Sequence, residues 1–373
     1  MLIDRLEEYY AYFSQRKSGW FILSSALLLT GLGIVTLSSA SLSFIRSEDY
    51  FLRQLLWCAI GIPFFLGGCL VKLDFLRRNS GIFLLIFAVA LVVVLIPSIG
   101  KFVNGSRRWI SVGGVNVQVS EFAKIAVIAW IARYLEGNSM RMGEFFRGFF
   151  VPIAVTCAVC CLILLEPDYG TAILVGAVVF TLLLLAGAHL PYMLVAMACG
   201  VLAISVLIYL NPTRMRRIVA FLDVENNRFE GAYQLWQGML GFVSGGLFGC
   251  GIGQGRQHLS SLPEAHTDFI FPVFGEEFGG LAATAVLLAY AALFVVASNC
   301  AKKLSSDFAK FLAYGIAFTI AYQVIINVGV VTGLLPTKGM VLPFISYGGS
   351  NLVLLFFMTG LLLNCFSSKI DAT

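Results

Sequence analysis

The stretch LPEAHTDFIFPVFGEEFGG, residues 262–280, stands directly before the apolar run LAATAVLLAYAALFVVASNC, residues 281–300. About 20 consecutive apolar residues are enough for a helix to cross the hydrocarbon core of a bilayer. The first stretch carries five ionisable side chains: Glu264, His266, Asp268, Glu276 and Glu277. Ionisable groups close to membrane depth are costly and persist where they line a polar cavity. The sequence therefore predicts a membrane helix with a functional site at its edge.

The composition of the whole chain supports the same reading. Of its 373 residues, 59% are hydrophobic and 12% are charged, with a mean hydropathy of +0.90. These values exclude a water-soluble globular protein of this size. Ten apolar runs predict an all-α integral membrane protein, a polytopic bundle of about ten transmembrane helices forming a single domain over residues 1–373. The runs cover residues 19–41, 51–71, 80–98, 119–135, 149–165, 170–189, 191–210, 281–300, 308–332 and 341–366.

The distribution of lysine and arginine predicts the orientation. A polar tail, residues 1–18, precedes a first run too long for a signal peptide, so we expect both termini in the cytoplasm. Residues 99–118 and the one large loop, residues 211–280, are then extracytoplasmic. Nine outer basic residues fall in two groups, one around the fourth apolar run and one after the seventh, and without them the ratio of inner to outer basic residues is 13 to 3. They are Lys101, Arg107, Arg108 and Lys124, and Arg214, Arg216, Arg217, Arg228 and Arg256. Either long loops cross regardless of charge, or these two groups bind an anionic ligand.

Charged residues also lie within or beside the apolar runs. Glu121 and Lys124 are three residues apart, so they share one face of the predicted helix. Either they form a structural ion pair that neutralises two buried charges, or Glu121 positions Lys124 to meet a phosphate. In the turn EPDYGT (166–171), Glu166 and Asp168 lie at the outer membrane edge, where capping of the next helix explains part of their presence.

The large loop contains two segments with helical character. NPTRMRRIVAFLD (211–223) interleaves three arginines with apolar residues, the pattern of an interfacial helix. AYQLWQGMLGFVSGGL (232–247) is consistent with a helix on or in the membrane. Residues 99–120 are polar and β-branched, which suggests a small hairpin or cap.

Two other segments suggest broken backbone: the glycine-rich GGLFGCGIGQG (245–255) and the region from PTKG (336–339) to SYGGS (346–350). At membrane depth, irregular backbone is tolerated only where it lines a cavity or is buried in protein. We expect these segments to converge on one pocket with the acidic stretch.

Several of these motifs together resemble the SEDS family (shape, elongation, division and sporulation), and the resemblance covers nearly the whole chain. The motifs are HTDFIF (266–271), GEE (275–277), EPDYGT (166–171), RRIVAFLD (216–223) followed by AYQ (232–234), and PTKGMVLPFISYGGS (336–350). LLPTKG and the FLD-x₈-AYQ spacing are most similar to members that act in cell division.

The resemblance implies a ten-helix bundle with peptidoglycan glycosyltransferase activity. Such enzymes polymerise lipid II, an undecaprenyl-diphosphate disaccharide-pentapeptide, at the outer face of the bacterial cytoplasmic membrane. They work with a class B penicillin-binding transpeptidase, here expected among divisome proteins at the septum. The family's essential aspartate falls on Asp268, and its Gln-Pro-Ser-Glu…Lys element falls on Gln118, Ser120, Glu121 and Lys124, with Val119 in place of proline.

The chemistry of that reaction assigns roles to residue types. A carboxylate, for which Asp268 is the candidate, accepts the proton of the sugar 4-hydroxyl. Cations stabilise the departing diphosphate, alone or with a divalent metal such as Mg²⁺ or Mn²⁺. The expected cations are Lys124, Arg107, Arg108, Arg216 and Lys338, and Glu121, Glu264, His266 and Ser346 complete the predicted substrate-binding set. Membrane lipids are expected partners and nucleic acid is not.

Two other functions stay open from the sequence. A lipid II flippase also carries intramembrane charges, but it is expected to show charges at the midplane and inverted repeats. A non-catalytic scaffold that recruits the transpeptidase would have no need of Asp268.

Overall fold

The computed structural model describes residues 17–41, 50–103, 106–112, 115–255 and 265–367. Residues 1–16, most of the predicted cytoplasmic tail, lie outside the described residues, and so does Glu264. In the described part the chain is mainly helical, with one small antiparallel sheet.

Twelve α-helices follow one another in the described residues. They are α1 (Lys17–Ser41), α2 (Tyr50–Leu70), α3 (Leu73–Val94), α4 (Val119–Asn138), α5 (Val151–Leu165), α6 (Tyr169–Leu185), α7 (Leu190–Tyr209), α8 (Pro212–Leu222), α9 (Tyr233–Gly245), α10 (Ile270–Lys302), α11 (Asp307–Val331) and α12 (Gly349–Ser367). A π-helical turn, Phe145–Phe150, leads directly into α5.

Each of the ten predicted membrane segments overlaps a helix, which confirms the predicted fold class. Two sets of bounds were wrong: α3 begins at Leu73 rather than residue 80, and α12 begins at Gly349 rather than residue 341, because the segment before it is irregular. Within the described residues, eight helices are long and apolar enough to cross a membrane, and α6 is a shorter apolar helix of 17 residues. Helix α4 has 20 residues and is long enough to cross a membrane, but it is not among these eight; it is the helix that carries Glu121 and Lys124. The count of ten spans is therefore approximate, and the chain is a multi-pass membrane protein.

The predicted cap is a three-stranded antiparallel sheet in the order β1 (Gly100–Val103), β2 (Ser106–Val112) and β3 (Val115–Gln118). In the register, Ile110 of β2 faces Val117 of β3. Strand β3 continues without a break into α4, so Gln118 stands at the helix N-cap. The sheet thus fixes the start of α4 at one end of the bundle, the end that also carries the α5–α6 turn and the segments after α7 and α11. We call it the sheet end.

Helices α11 and α12 form the centre of the bundle, and α2 packs along α12. Close approach of these two backbones requires glycine: a Cβ on Gly68 would collide with the backbone of Phe357, and one on Gly360 would collide with that of Phe65. At the periphery, α7 buries only Met193 among its residues. This contrast is expected for a membrane bundle, in which the outer helices present apolar side chains to lipid.

The large loop is more ordered than its composition suggests. Its two predicted helical segments form α8 and α9, and α10 begins at Ile270, 11 residues before the predicted run at 281. Helix α10 is kinked at Gly279 (φ 83°, ψ 170°), where the backbone of Gly249 approaches too closely for any Cβ. The glycine-rich segment is therefore packed against protein, as irregular backbone at membrane depth must be.

The acidic pair at that kink holds the glycine-rich segment in place. Glu276 and Glu277 are 1% and 2% exposed. The Ser244 hydroxyl donates to the Glu276 carboxylate at 3.1 Å, and the Gly253 amide donates to the Glu277 carboxylate at 3.2 Å. Two of the acids in the opening stretch thus stabilise the fold.

Candidate functional site at the sheet end of the bundle

The turn between α5 and α6 is anchored by an arginine from the sheet. Arg108 of β2 donates from Nε to the Glu166 carbonyl at 2.8 Å and from a terminal nitrogen to the Pro167 carbonyl at 2.7 Å. Both carbonyls would otherwise need water or another donor, because backbone acceptors at a buried turn must be satisfied. The guanidinium predicted to meet a diphosphate therefore also positions the turn.

Asp168 caps α6, as predicted. Its carboxylate accepts from the Thr171 amide at 3.1 Å and from the Thr171 hydroxyl at 2.8 Å. It also accepts from the Gln118 side-chain amide at 3.2 Å, and that amide donates to Ser120 at 3.1 Å. The start of α4 and the start of α6 are thus joined through one carboxylate.

Lys338 reaches this turn from the segment between α11 and α12. A Cβ on Gly170 would lie 3.1 Å from Lys338 Cε and 3.3 Å from an Asp168 carboxylate oxygen, so the lysine side chain passes close to the start of α6. Burial lowers the pKa of the Lys338 ammonium to about 8; Asp168 opposes that shift, whereas Arg108 and Arg214 reinforce it. The lysine side chain is thus held close to one carboxylate and two guanidinium groups.

Arg214, on α8, completes the basic side of this cluster. Its guanidinium carbon lies 3.5 Å from the ring centroid of Tyr169, the first residue of α6. Stacking on an aromatic face stabilises a guanidinium while leaving its N–H donors at the ring edge available to an anion. We call Arg108, Asp168, Arg214 and Lys338, together with Glu166, the turn cluster.

Glu166 is the least compensated member of the turn cluster. Its side chain is fully buried, and neither carboxylate oxygen has a hydrogen-bond partner among the described residues. Burial raises the pKa of Glu166 to about 8; Asp168 adds to the shift and Arg108 opposes it. A buried carboxyl without donors favours its neutral, protonated form.

Asp268 lies against the same segment as Lys338. Its carboxylate is in contact range of Gly339, where a Cβ would collide with it. The Asn327 side-chain amide donates to the Asp268 carbonyl at 2.9 Å and to the Met340 carbonyl at 2.6 Å, which ties the two backbones together. The candidate base is half-buried. It contacts Gly339, the residue that directly follows Lys338, the candidate diphosphate cation.

The predicted pair on α4 forms. Lys124 Nζ lies 2.8 Å from a Glu121 carboxylate oxygen, and both side chains are buried. Asn351 of α12 donates to the same carboxylate oxygen at 2.6 Å. Lys124 borders a narrow cleft between α4, α6 and α11 that has no room for a water molecule. The geometry is that of a closed ion pair, and the phosphate role of Lys124 stays a prediction.

The other predicted substrate-binding residues occupy varied settings. Arg107 lies 5.7 Å from the Phe102 ring centroid. His266 stacks on Tyr50 with 4.0 Å between ring centroids. The Ser346 hydroxyl accepts from the Leu342 amide at 2.8 Å, so it stabilises its own turn.

Arg216 is exposed on α8, and it projects about 160° away from Arg214 around the helix, since successive residues are about 100° apart. Arg216 was predicted to meet the diphosphate, but the arginine that lies at the turn cluster is Arg214. Both lie in the basic segment already singled out, but three closely spaced arginines carry no signal for which one turns inward. Asn327 and Asn351 carry no local signal either, because their partners are distant in sequence.

The described residues offer few protein ligands for a metal ion. In the described ranges, no three His, Cys, Asp or Glu side chains converge in a manner that could hold one. Asp268 offers a single half-buried carboxylate. Mg²⁺ is commonly bound through one or two carboxylates together with substrate phosphates, so these residues fit a metal shared with a diphosphate rather than a metal held by protein alone.

Comparisons with known proteins extend these observations. The FtsW/RodA/SpoVE family model, described as "Cell cycle protein", matches residues 20–369, which confirms the resemblance seen in the sequence. The chain is 37% identical over 358 residues to the probable peptidoglycan glycosyltransferase FtsW of Francisella salina, covering 95% of this chain and 87% of that protein.

Solved structures show the same architecture. A chain from a peptidoglycan synthase complex that coordinates polymerization and crosslinking superposes with a TM-score of 0.78 at 25% identity, covering 94% of this chain and 98% of that chain. The rod shape determining protein RodA of Thermus thermophilus superposes with a TM-score of 0.71 at 25% identity, covering 94% of this chain and 97% of RodA.

Proposed function

The chain belongs to the FtsW/RodA/SpoVE family of cell cycle proteins, and we propose that it is a peptidoglycan glycosyltransferase. It polymerises lipid II into β-1,4 glycan strands and releases undecaprenyl diphosphate. The observation that carries the proposal is the contact of Asp268 with Gly339, which places a carboxylate beside Lys338 and the turn cluster. The name of the Francisella salina relative and the peptidoglycan synthase complex support it.

The reaction joins the 4-hydroxyl of one sugar to the anomeric carbon of another. Asp268 accepts the hydroxyl proton as the new carbon–oxygen bond forms. The bond from the anomeric carbon to the diphosphate breaks, and the diphosphate departs with the electron pair. Lys338 and Arg214 supply positive charge where negative charge develops, an effect strongest in a site that excludes water. One displacement inverts the anomeric centre, so an α-linked donor gives a β-linked product.

The remaining contacts position these groups. Arg108 fixes the α5–α6 turn through two carbonyls, Asp168 holds α6 and Gln118 together, and Asn327 ties the Asp268 backbone to Met340. Such contacts keep the base and the cations at fixed separations. Groups held in the reacting geometry lose less entropy on reaching the transition state, which raises the rate.

A divalent cation remains part of the proposal. Mg²⁺ or Mn²⁺ would be held by Asp268 together with the two phosphates of lipid II, and it would add positive charge at the leaving group.

The proposal includes a location and a partner. The protein is placed in the bacterial cytoplasmic membrane at the division septum, with a class B penicillin-binding transpeptidase and other divisome proteins. Both termini are cytoplasmic, so the sheet end faces outward. Labelling of Asn226→Cys by an impermeant thiol reagent checks the orientation: reaction only from the cytoplasmic side would reverse it.

Polymerisation of lipid II by the purified protein tests the function. We expect glycan strands, with a higher rate when the transpeptidase is present. Asp268→Asn is expected to lower the rate by about 10²–10⁴-fold, the range for a lost general base, while the protein still inserts and binds its partner. Asp307→Asn, at the exposed start of α11 on the other end of the bundle, is the matched control and should polymerise normally.

The same assay separates the alternatives. A flippase or a scaffold gives no polymer from lipid II in detergent, with or without the partner. Near-normal glycan synthesis by the Asp268→Asn variant would show that Asp268 has a structural role only and would contradict the proposed mechanism.

A further inference from the structure

The inner side of helix α8 packs against the rest of the protein. Arg214 stacks on Tyr169. Ala220 is 2% exposed and packs closely on the segment that follows α8. A Cβ added to Gly231 in that segment would lie 2.9 Å from the Cβ of Ala220. The Asn211 side chain caps the helix start by accepting from the Arg214 amide. These contacts fix the rotation of α8 about its axis.

The opposite side of α8 is an exposed apolar stripe. Met215, Val219 and Leu222 are 39%, 49% and 76% exposed. They are spaced by four and three residues, so they form one continuous line along the helix. We call these three residues the α8 stripe.

The α8 stripe continues a surface that already faces lipid. Helix α7 leads into α8 through Leu210 and Asn211, and Val206, Tyr209 and Leu210 at its end are 47%, 75% and 70% exposed. In a multi-pass membrane protein such side chains face the bilayer. Because α7 ends at the membrane edge, the α8 stripe is positioned to insert at the boundary between acyl chains and headgroups.

One arginine borders this stripe and another does not. Arg216 is exposed and precedes Val219 by three residues, so it lies beside the stripe at Val219. Arg217 is also exposed, but it is two residues from both Met215 and Val219 and so points about 160° away from them, on the far side of the helix. A guanidinium next to an inserted apolar stripe is at the depth of lipid phosphates, where it makes charge-assisted hydrogen bonds.

We propose that Arg216 and the α8 stripe form a binding site for an anionic phospholipid of the surrounding bilayer. The stripe inserts among the acyl chains and Arg216 binds the headgroup phosphate. This site is separate from the turn cluster, because Arg214 and Arg216 project to opposite sides of the helix. Arg214 thus faces the turn cluster, whereas Arg216 faces the surrounding lipid.

Photo-crosslinking in bilayers without lipid II tests this site. The full-length protein carries p-benzoylphenylalanine in place of Leu222 and is reconstituted in equal amounts of phosphatidylglycerol and phosphatidylcholine. Mass spectrometry then gives the ratio of the two lipid adducts. We expect phosphatidylglycerol adducts to predominate. Arg216→Gln should lower the ratio by about fivefold, the effect of one basic side chain at an anionic surface. Arg217→Gln is the matched control on the same helix and should leave the ratio nearly unchanged.

Each other outcome overturns the proposal. Absence of lipid adducts places the α8 stripe in water or against protein. An adduct ratio that does not respond to Arg216→Gln removes the headgroup contact. An equal response to Arg217→Gln shows general attraction to a basic helix rather than a site beside the stripe. None of these readouts depends on glycosyltransferase activity.

Discussion

The Glu121–Lys124 pair and the turn cluster are both groups of buried charges, but they differ in how those charges are compensated. In α4, the ammonium and carboxylate lie 2.8 Å apart, and Asn351 supplies a further donor. In the turn cluster, the Glu166 carboxylate has no hydrogen-bond partner among the described residues, and the favourable effect of Asp168 on the Lys338 charge is opposed by Arg108 and Arg214. One group is closed and the other is left incomplete.

This difference separates structural charges from charges ready to bind a ligand. A compensated pair has little to gain from a substrate, whereas an uncompensated group has a protonation equilibrium near neutral pH that an anion can shift. The pKa values of Glu166 and Lys338, both about 8, are the physical sign of that incompleteness. Under the proposed function, a lipid-linked diphosphate would supply negative charge to the basic side of the turn cluster.

The largest effect is expected from breaking the closed pair. Lys124→Met leaves Glu121 buried without its cation, which should lower the free energy of unfolding by about 3–5 kcal/mol. The double variant Glu121→Gln/Lys124→Met removes both charges and should recover most of that loss. Denaturant unfolding of the purified protein in detergent measures both.

The double variant also decides the role of Lys124. If the pair is structural, polymerisation of lipid II recovers together with stability. If Lys124 contacts a phosphate, stability recovers and polymerisation does not. A double variant as unstable as Lys124→Met would contradict the closed-pair interpretation.

A smaller, graded effect is expected from pH at the turn cluster. Below pH about 8, Lys338 is charged and Glu166 is neutral; above it both lose a proton, so the local charge becomes more negative. Affinity for lipid II should therefore fall as pH rises from about 7 to about 9, approaching tenfold per pH unit for each proton that binding requires. The KM for lipid II across this range is the measurement.

Two variants separate the titrating groups. Lys338→Arg keeps its charge above pH 8 and should flatten the profile. Glu166→Gln, which resembles the neutral acid, should leave only the Lys338 transition. A wild-type KM that is constant over this range would show that neither proton is linked to substrate binding.

Much of the fold could be predicted locally. Each of the ten apolar runs overlaps a helix, because length and hydropathy are properties of a contiguous segment. The i, i+3 spacing of Glu121 and Lys124 predicted their pairing for the same reason. Asp168 was recognised as a cap from its place before α6. The start of α10 was missed, since polar and acidic residues before 281 hide a helix that packs against the glycine-rich segment.

The site could be predicted only in part. Asp268 and Lys338 were chosen through motifs, and the structure places them on adjoining segments. Arg214 was passed over for Arg216 because the rotation of α8 depends on Ala220 and Tyr169, which no local pattern reveals. Arg108 was expected to meet substrate, and its contact with a turn 58 residues away in the chain could not be read from β2 alone.

The sequence by itself determined that the chain is a bundle of membrane helices, where most of them lie, and which motifs carry its chemistry. Hydrophobic length and i, i+3 spacing act within a few residues, so a linear string contains them. Only the tertiary structure decided which buried charges are closed by a partner and which stay open. Compensation of a charge depends on groups brought together from distant segments in a low-dielectric interior, where each missing donor shifts a pKa.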